Sequence, residues 1–127
     1  MNLENPDHET IHLKDLEPYR DSISQVKFVL IQTGWSRFWG TETYFSNYPV
    51  LSREAAEWLM CFDLQGIGFD VISADKADSK EFQIHKIFLR KNVIIIENLS
   101  NLKNLPCNPF LFSCFPLSLK DADGSPV

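Results

Sequence analysis

The apolar positions of this chain fall into short blocks whose period changes from continuous to helical and back. Phe28, Val29, Leu30 and Ile31 form an unbroken β-prone run, so Lys27–Thr33 is expected to be a strand closed by Gly34. Ser52 reads as a helix N-cap, with Glu54 in the first turn complementing the helix dipole. Ala55, Leu59 and Phe62 then recur at helical spacing, which predicts a helix from Ser52 to about Leu64, broken by Gly66. Ile67–Ile72 is a second expected strand, carrying Asp70, and Ser73–Ser79 is a polar turn holding Asp75 and Asp78. Over Lys80–Lys91 the residues Ile84, Ile87 and Phe88 make one stripe of a second helix, with His85 beside it. Val93–Ile96 is the most continuous apolar run and ends abruptly in Glu97, the pattern of a buried strand that presents a carboxylate at its end.

The flanks are less regular. Residues 1–12 are polar and are expected to be an irregular or frayed lead-in. Leu13–Ile23 reads as a short helix interrupted by Pro18, with Leu16 and Ile23 as its apolar contacts. The loop after the first strand carries Trp35, Phe38, Trp39, Tyr44, Phe45 and Tyr48. Such rings could wall a pocket for a flat apolar ligand, or simply cover the core or a subunit interface. Asn98–Leu105 is a short turn or helix ended by Pro106 and Pro109. Phe110–Leu119 is expected to be a long strand, at an edge or bulged at Pro116, followed by a hairpin turn at Asp121–Gly124. Strands alternating with helices predict an α/β domain over residues 13–127, its sheet at least partly parallel. A hairpin turn followed by almost no second arm suggests that the domain continues past Val127.

Composition narrows the partners. With 44% apolar and 13% aromatic residues, the 127-residue chain can bury one core. A net charge of −5 argues against a nucleic-acid or anionic-membrane partner. No apolar run approaches the ~20 residues of a membrane span, and the acidic start is not a secretory signal. Cys61, Cys107 and Cys114 are odd in number and lack metal-type spacing. They are expected to be reduced thiols, buried as small hydrophobes, in a cytoplasmic protein.

The candidate chemistry rests on His85 and Glu97. Helix and strand are joined by two or three residues and run back against each other. Element geometry then puts the two Cα atoms roughly 12 Å apart. That separation permits a shared metal ion without demanding one. The alternative is a core histidine and a solvated or capping glutamate. His8 and His12 stand four apart, but Pro6 and the lack of an apolar stripe argue against a metal pair there.

Taken together, the segments TGWSRFWGTETYFSNYPVLSREAAEWL, GIGFDVISAD, FQIHKIFL, IIENLSNL and DADGSPV resemble the successive blocks of the cyclase family of metal-dependent hydrolases, which includes bacterial kynurenine formamidase. The resemblance runs from about Asp15 to Val127. It implies an α/β fold of the swivelling β/β/α type with a mixed sheet and helices, assembled into homo-oligomers. It also implies a zinc or manganese ion that activates water to hydrolyse a small-molecule amide, such as the N-formyl group of a tryptophan catabolite. The family's later histidine and glutamate ligands map onto His85 and Glu97. Trp35 and Trp39 would help form the substrate or subunit surface, while Asp70, Ser73 and Asp75 would support the ion's ligands from behind or shape the pocket. The family's other ligand motif, His-x-Gly-Thr-His-x-Asp, is absent from these 127 residues, and no catalytic acid or base is assigned. The expectation is therefore an N-terminally truncated portion of the domain, inactive alone. The alternative is a non-catalytic folded remnant acting as an oligomerising module.

Overall fold

Parallel strands, each returned to its neighbour by a helical crossover, set the architecture. The structure is a computed structural model and describes residues 1–4, 9–106, 108–122 and 124–127. In chain order its elements are β1 (Thr10–Ile11), α1 (Leu13–Leu16), α2 (Arg20–Ile23), β2 (Phe28–Ile31), β3 (Val50–Leu51), α3 (Arg53–Leu59), β4 (Gly66–Phe69), α4 (Gln83–Leu89) and β5 (Ile94–Ile96). Short 3-10 turns lie at Glu17–Tyr19, Trp35–Phe38, Glu42–Phe45 and Leu102–Asn104. The main sheet has the order β2-β4-β5, every pair parallel, with Phe28 opposite Gly66 and Gly66 opposite Ile94. A separate parallel pair joins β1 to β3. Parallel neighbours need long crossovers. Here α3 lies between β2 and β4 in the chain, and α4 between β4 and β5. The core forms where Val29, Ile31, Ile67 and Phe69 meet Ala55, Leu59, Ile84 and Phe88, all buried. The α/β class is as expected. Among the described residues the strands are all parallel, not mixed.

Several boundaries move. The Ser52 hydroxyl caps α3, accepting from Ala55 N at 3.1 Å. The helix stops at Leu59, earlier than expected. Gly66 is not a helix breaker but the first residue of β4. A Cβ there would stand 2.2 Å from the Phe28 ring, so glycine is what lets that ring lie across the strand. Pro18 sits in the 3-10 turn that splits the expected 13–23 helix into α1 and α2. β5 is an edge strand rather than a fully buried one: Ile94 is 53% exposed and only Ile96 is fully buried.

The lead-in is ordered where it is described. Leu3 N donates to Gln32 O at 2.8 Å, Gln32 N donates to Met1 O at 2.9 Å, and Thr10–Ile11 is β1. The outer backbone groups of Gln32 need partners, and the first residues supply them. Conversely, Phe110–Leu119 makes no strand, and about Asp121–Gly124 the described residues meet through Leu117, whose N donates to Pro126 O and whose carbonyl accepts the Ser125 hydroxyl. Asp123 lies outside the described residues. Apolar alternation yields a strand only where a neighbour offers a ladder; Phe112 packs on the Phe28 ring of β2, but none of the described strands pairs with this segment. Its Leu111 and Phe115 are 94% and 82% exposed. Cys61 is exposed just past α3 and Cys114 is half-buried, so neither is the buried hydrophobe expected; Cys107 lies outside the described residues. Among the described residues no helix is long and apolar enough to cross a membrane.

Candidate functional site

The loops that leave the carboxyl ends of the parallel strands converge, as open α/β sheets require of a binding site. After β2 come Thr33 and Gly34. Asp70 to Asp75 follow β4, and Glu97 and Asn98 follow β5. Asp70, fully buried, draws the first two loops together. Its Oδ1 accepts from Thr33 N at 2.8 Å and Thr33 Oγ1 at 2.6 Å, and its Oδ2 accepts from Gly34 N at 2.8 Å. The second and third loops are joined by Ala74 N, which donates to Glu97 Oε1 at 2.8 Å.

His85 meets this cluster from the first turn of α4. Its Nε2 stands 3.3 Å from Glu97 Oε1, and its Nδ1 stands 2.7 Å from Asp75 Oδ2. Both His85 and Glu97 keep about a quarter of their side-chain surface open to solvent. Burial pushes the Asp75 carboxyl up. The hydrogen bonds from His85 and Ile84 outweigh that push and hold its pKa below the usual carboxylate value. Asp75 is thus ionised at neutral pH and can only accept, so Nδ1 meets it as a donor. Nε2 in turn faces Glu97 Oε1. Two lone pairs at this distance repel unless a proton or a cation stands between them. A zinc ion with Zn–N and Zn–O bonds of ~2.0–2.2 Å at tetrahedral angles spans a nitrogen–oxygen edge of roughly 3.3–3.5 Å. The spacing therefore fits either a shared proton, as in a His85–Glu97 ion pair, or one metal ion.

The remaining candidates fall around this pair. Ser73 Oγ accepts from Asp75 N at 3.3 Å and so supports the Asp75 loop. Trp35 is half-buried, its Nε1 donating to Tyr44 O at 3.1 Å. Trp39 is exposed, with its ring edge-on to Tyr44. Tyr44 brings the aromatic segment to the site, since its hydroxyl donates to Asn98 Oδ1 at 2.9 Å beside Glu97. His12 is exposed at the start of α1, where its N–H donates to Asp15 Oδ2, and His8 lies outside the described residues. Among the described residues no group of three or more His, Cys, Asp or Glu converges to hold an ion. A cavity of about 660 Å³ lies elsewhere, between α2, β2 and residues 105–106 and 108–112. Tyr44 and Asn98 lie within the family-like segments but take no individual role from the sequence. Asp75 is legible there as an acidic residue of a polar turn and, through the resemblance, as a residue near the pocket.

The family model described as "Putative cyclase" matches residues 1–76. An uncharacterised protein of Methanocaldococcus jannaschii is 34% identical over 118 residues, covering 92% of this chain and 59% of its own. The kynurenine formamidase of Bacillus cereus is 32% identical over 119 residues, covering 94% of this chain and 54% of its own. Among solved structures, a potential metal-dependent hydrolase with cyclase activity superimposes with a TM-score of 0.77 at 24% identity, over 99% of this chain and 59% of that one. Isatin hydrolase A from Labrenzia aggregata gives 0.81 at 19% identity, over 95% and 52%. At those identities the likeness is one of fold. The chain spans little more than half the length of these proteins.

Proposed function

From the premise that this chain belongs to the cyclase family, we propose that it carries part of the active centre of a metal-dependent amide hydrolase, with His85 and Glu97 as two ligands of the ion. The observation that supports this is the approach of His85 Nε2 to Glu97 Oε1, 3.3 Å apart. An ion of zinc or manganese type would supply an activated water and polarise the scissile carbonyl. The chain's own residues orient the two donors. Asp75 holds the His85 ring, and Ala74 N fixes one Glu97 oxygen. The segment from Trp35 to Tyr48, reaching the site through Tyr44, would wall the substrate pocket. The substrate class is a small N-formyl or related amide, giving an acid and an amine, with cytoplasmic location.

Catalytic zinc normally takes three protein ligands and a water. With two donors among the described residues, this polypeptide alone should bind zinc weakly and hydrolyse formamides at close to background. Metal titration of purified wild type beside His85→Ala tests the assignment. Binding that the substitution abolishes is expected, and equal uptake by both proteins would overturn it. Substantial metal-dependent formamide hydrolysis by the 127-residue chain would refute the incomplete ligand set.

A second reading has its own support. Leu111, Phe115, Leu117 and Leu119, all at alternating positions, are 94%, 82%, 59% and 52% exposed. Such a row favours an oligomerising module that associates with further copies of itself. A wild type that sediments as a clean monomer at high concentration would count against it.

A further inference from the structure

Helix α4 begins without a local cap. Its N-cap residue, Phe82, has no side-chain acceptor and adopts a left-handed backbone with φ of 48°. The amides of Ile84 and His85 are therefore left for some other group. Asp75, nine and ten residues upstream, takes both: Oδ1 accepts from Ile84 N and Oδ2 from His85 N, each at 3.0 Å. The same Oδ2 lies 2.7 Å from His85 Nδ1, within hydrogen-bond reach. One carboxylate thus fixes the helix start, the backbone of His85 and its ring. Asp75 is itself held on two sides. Its N–H donates to Ser73 Oγ, and its carbonyl accepts the Tyr48 hydroxyl at 2.8 Å. It is only 5% exposed.

We propose that Asp75 is the positioning residue of the centre, acting through His85: it holds the proton on Nδ1 and so presents the Nε2 lone pair to the ion shared with Glu97. This rests on the metal-site reading above and says which side chain prepares the histidine for it. A carboxylate hydrogen-bonded to the remote nitrogen of a ligating histidine fixes its tautomer and raises its basicity. No other carboxylate among the described residues bonds that nitrogen. Asp75→Leu removes both acceptor oxygens at similar volume. Nδ1 then has no acceptor, and Glu97 Oε1 is left to draw the proton to Nε2.

The test reads the tautomer directly. Imidazole ¹⁵N shifts are recorded in a His8→Gln, His12→Gln background, where His85 is the only histidine, in metal-free protein above the ordinary histidine titration range. The expected result is Nδ1–H for the wild-type residue at 75 and a shift towards Nε2–H in Asp75→Leu, with helical circular dichroism retained. Zinc affinity, measured by titration on the same proteins, should fall ~10–100-fold in Asp75→Leu. A wild-type ring protonated on Nε2 would overturn the proposal without any variant having to fold. So would an unchanged tautomer, or unchanged zinc affinity, in a folded Asp75→Leu. If wild type binds no measurable zinc, as two ligands alone allow, the tautomer alone decides the role of Asp75: Nδ1–H supports it and Nε2–H sinks it.

Discussion

Asp70 separates a structural from a substrate-binding role more sharply than any other candidate. Its three accepted hydrogen bonds, at 2.6–2.8 Å, tie Thr33 and Gly34 to the end of β4. In Asp70→Ala two backbone N–H groups and a hydroxyl lose their acceptor at a place where Thr33 is only 6% exposed. Each buried donor left unpaired costs ~1–3 kcal/mol. Relief of the buried carboxylate offsets part of that sum, so a net loss of about 3–5 kcal/mol is expected, typical of breaking a buried charged network. Unfolding entropy of ~2.1 cal/mol/K per residue, over a chain this long, converts the loss to a Tm drop of about 11–19 °C. Asp70→Asn keeps one acceptor oxygen and should lose roughly half as much. Thermal and urea unfolding followed by circular dichroism provide the assay. An Asp70→Ala protein within ~1 kcal/mol of wild type would refute the clamp. Such a result, with weakened substrate binding in the intact enzyme, would instead favour a side chain that touches substrate.

Two further outcomes follow from close approaches and from charge. Gly66→Ala should cost ~1–3 kcal/mol, because the new methyl stands 2.2 Å from the Phe28 ring, whereas adding Phe28→Leu should recover much of the loss; unaltered urea midpoints would show that the ring is free to move. Burial, and then the carboxylates of Asp70 and Glu97, push the Tyr44 phenol above its ordinary 10.0. Burial likewise raises Tyr48, against the pull of a Ser73 hydrogen bond. The folded state favours the neutral phenols. Their contribution is thus fully present below pH 10.0 and is lost as pH climbs through the raised values. Wild type should therefore destabilise in strong alkali more steeply than Tyr44→Phe in denaturant titrations, and parallel curves would contradict the assignment.

What could be read in the sequence was local. Continuous β-branched and aromatic blocks locate β2 and β4, and Ser52 three residues before Ala55 locates the start of α3. The meeting of His85 and Glu97 was legible as a permitted distance, since so short a connection leaves helix and strand little freedom. Placement relative to neighbours was not legible. Val93–Ile96 reads as buried whether or not a strand lies beyond it, and the sheet happens to end there. Phe110–Leu119 alternates like a strand, but alternation cannot supply a partner ladder. The cap of α4 was invisible for a related reason. Caps are sought at the residue before the helix, and this one comes from a loop folded back over ten positions.

That displaced cap bears on how the donors hold their geometry. Histidine and glutamate ligands that hang from a helix and a strand by packing alone need the ion to order them. Here each is anchored to backbone-fixed groups: the His85 ring to Asp75, whose oxygens also bind two helix amides, and Glu97 Oε1 to Ala74 N. Asp70 secures the start of the same loop against β2, and Tyr44 reaches across to Asn98 from the aromatic segment. The hydrogen bonds therefore run from strand end to strand end without passing through the gap between Nε2 and Oε1. On the metal-site reading, ordering entropy is largely met by folding, and affinity is limited by the number of ligands instead. Supplying a third and fourth donor should then strengthen binding without reorganising His85 or Glu97. Imidazole shifts of His85 that move on zinc addition in the ring alone, while the amides of residues 73–75 and 84–85 stay in place, would bear this out. Broad movement of those amides would show a site that the ion must build.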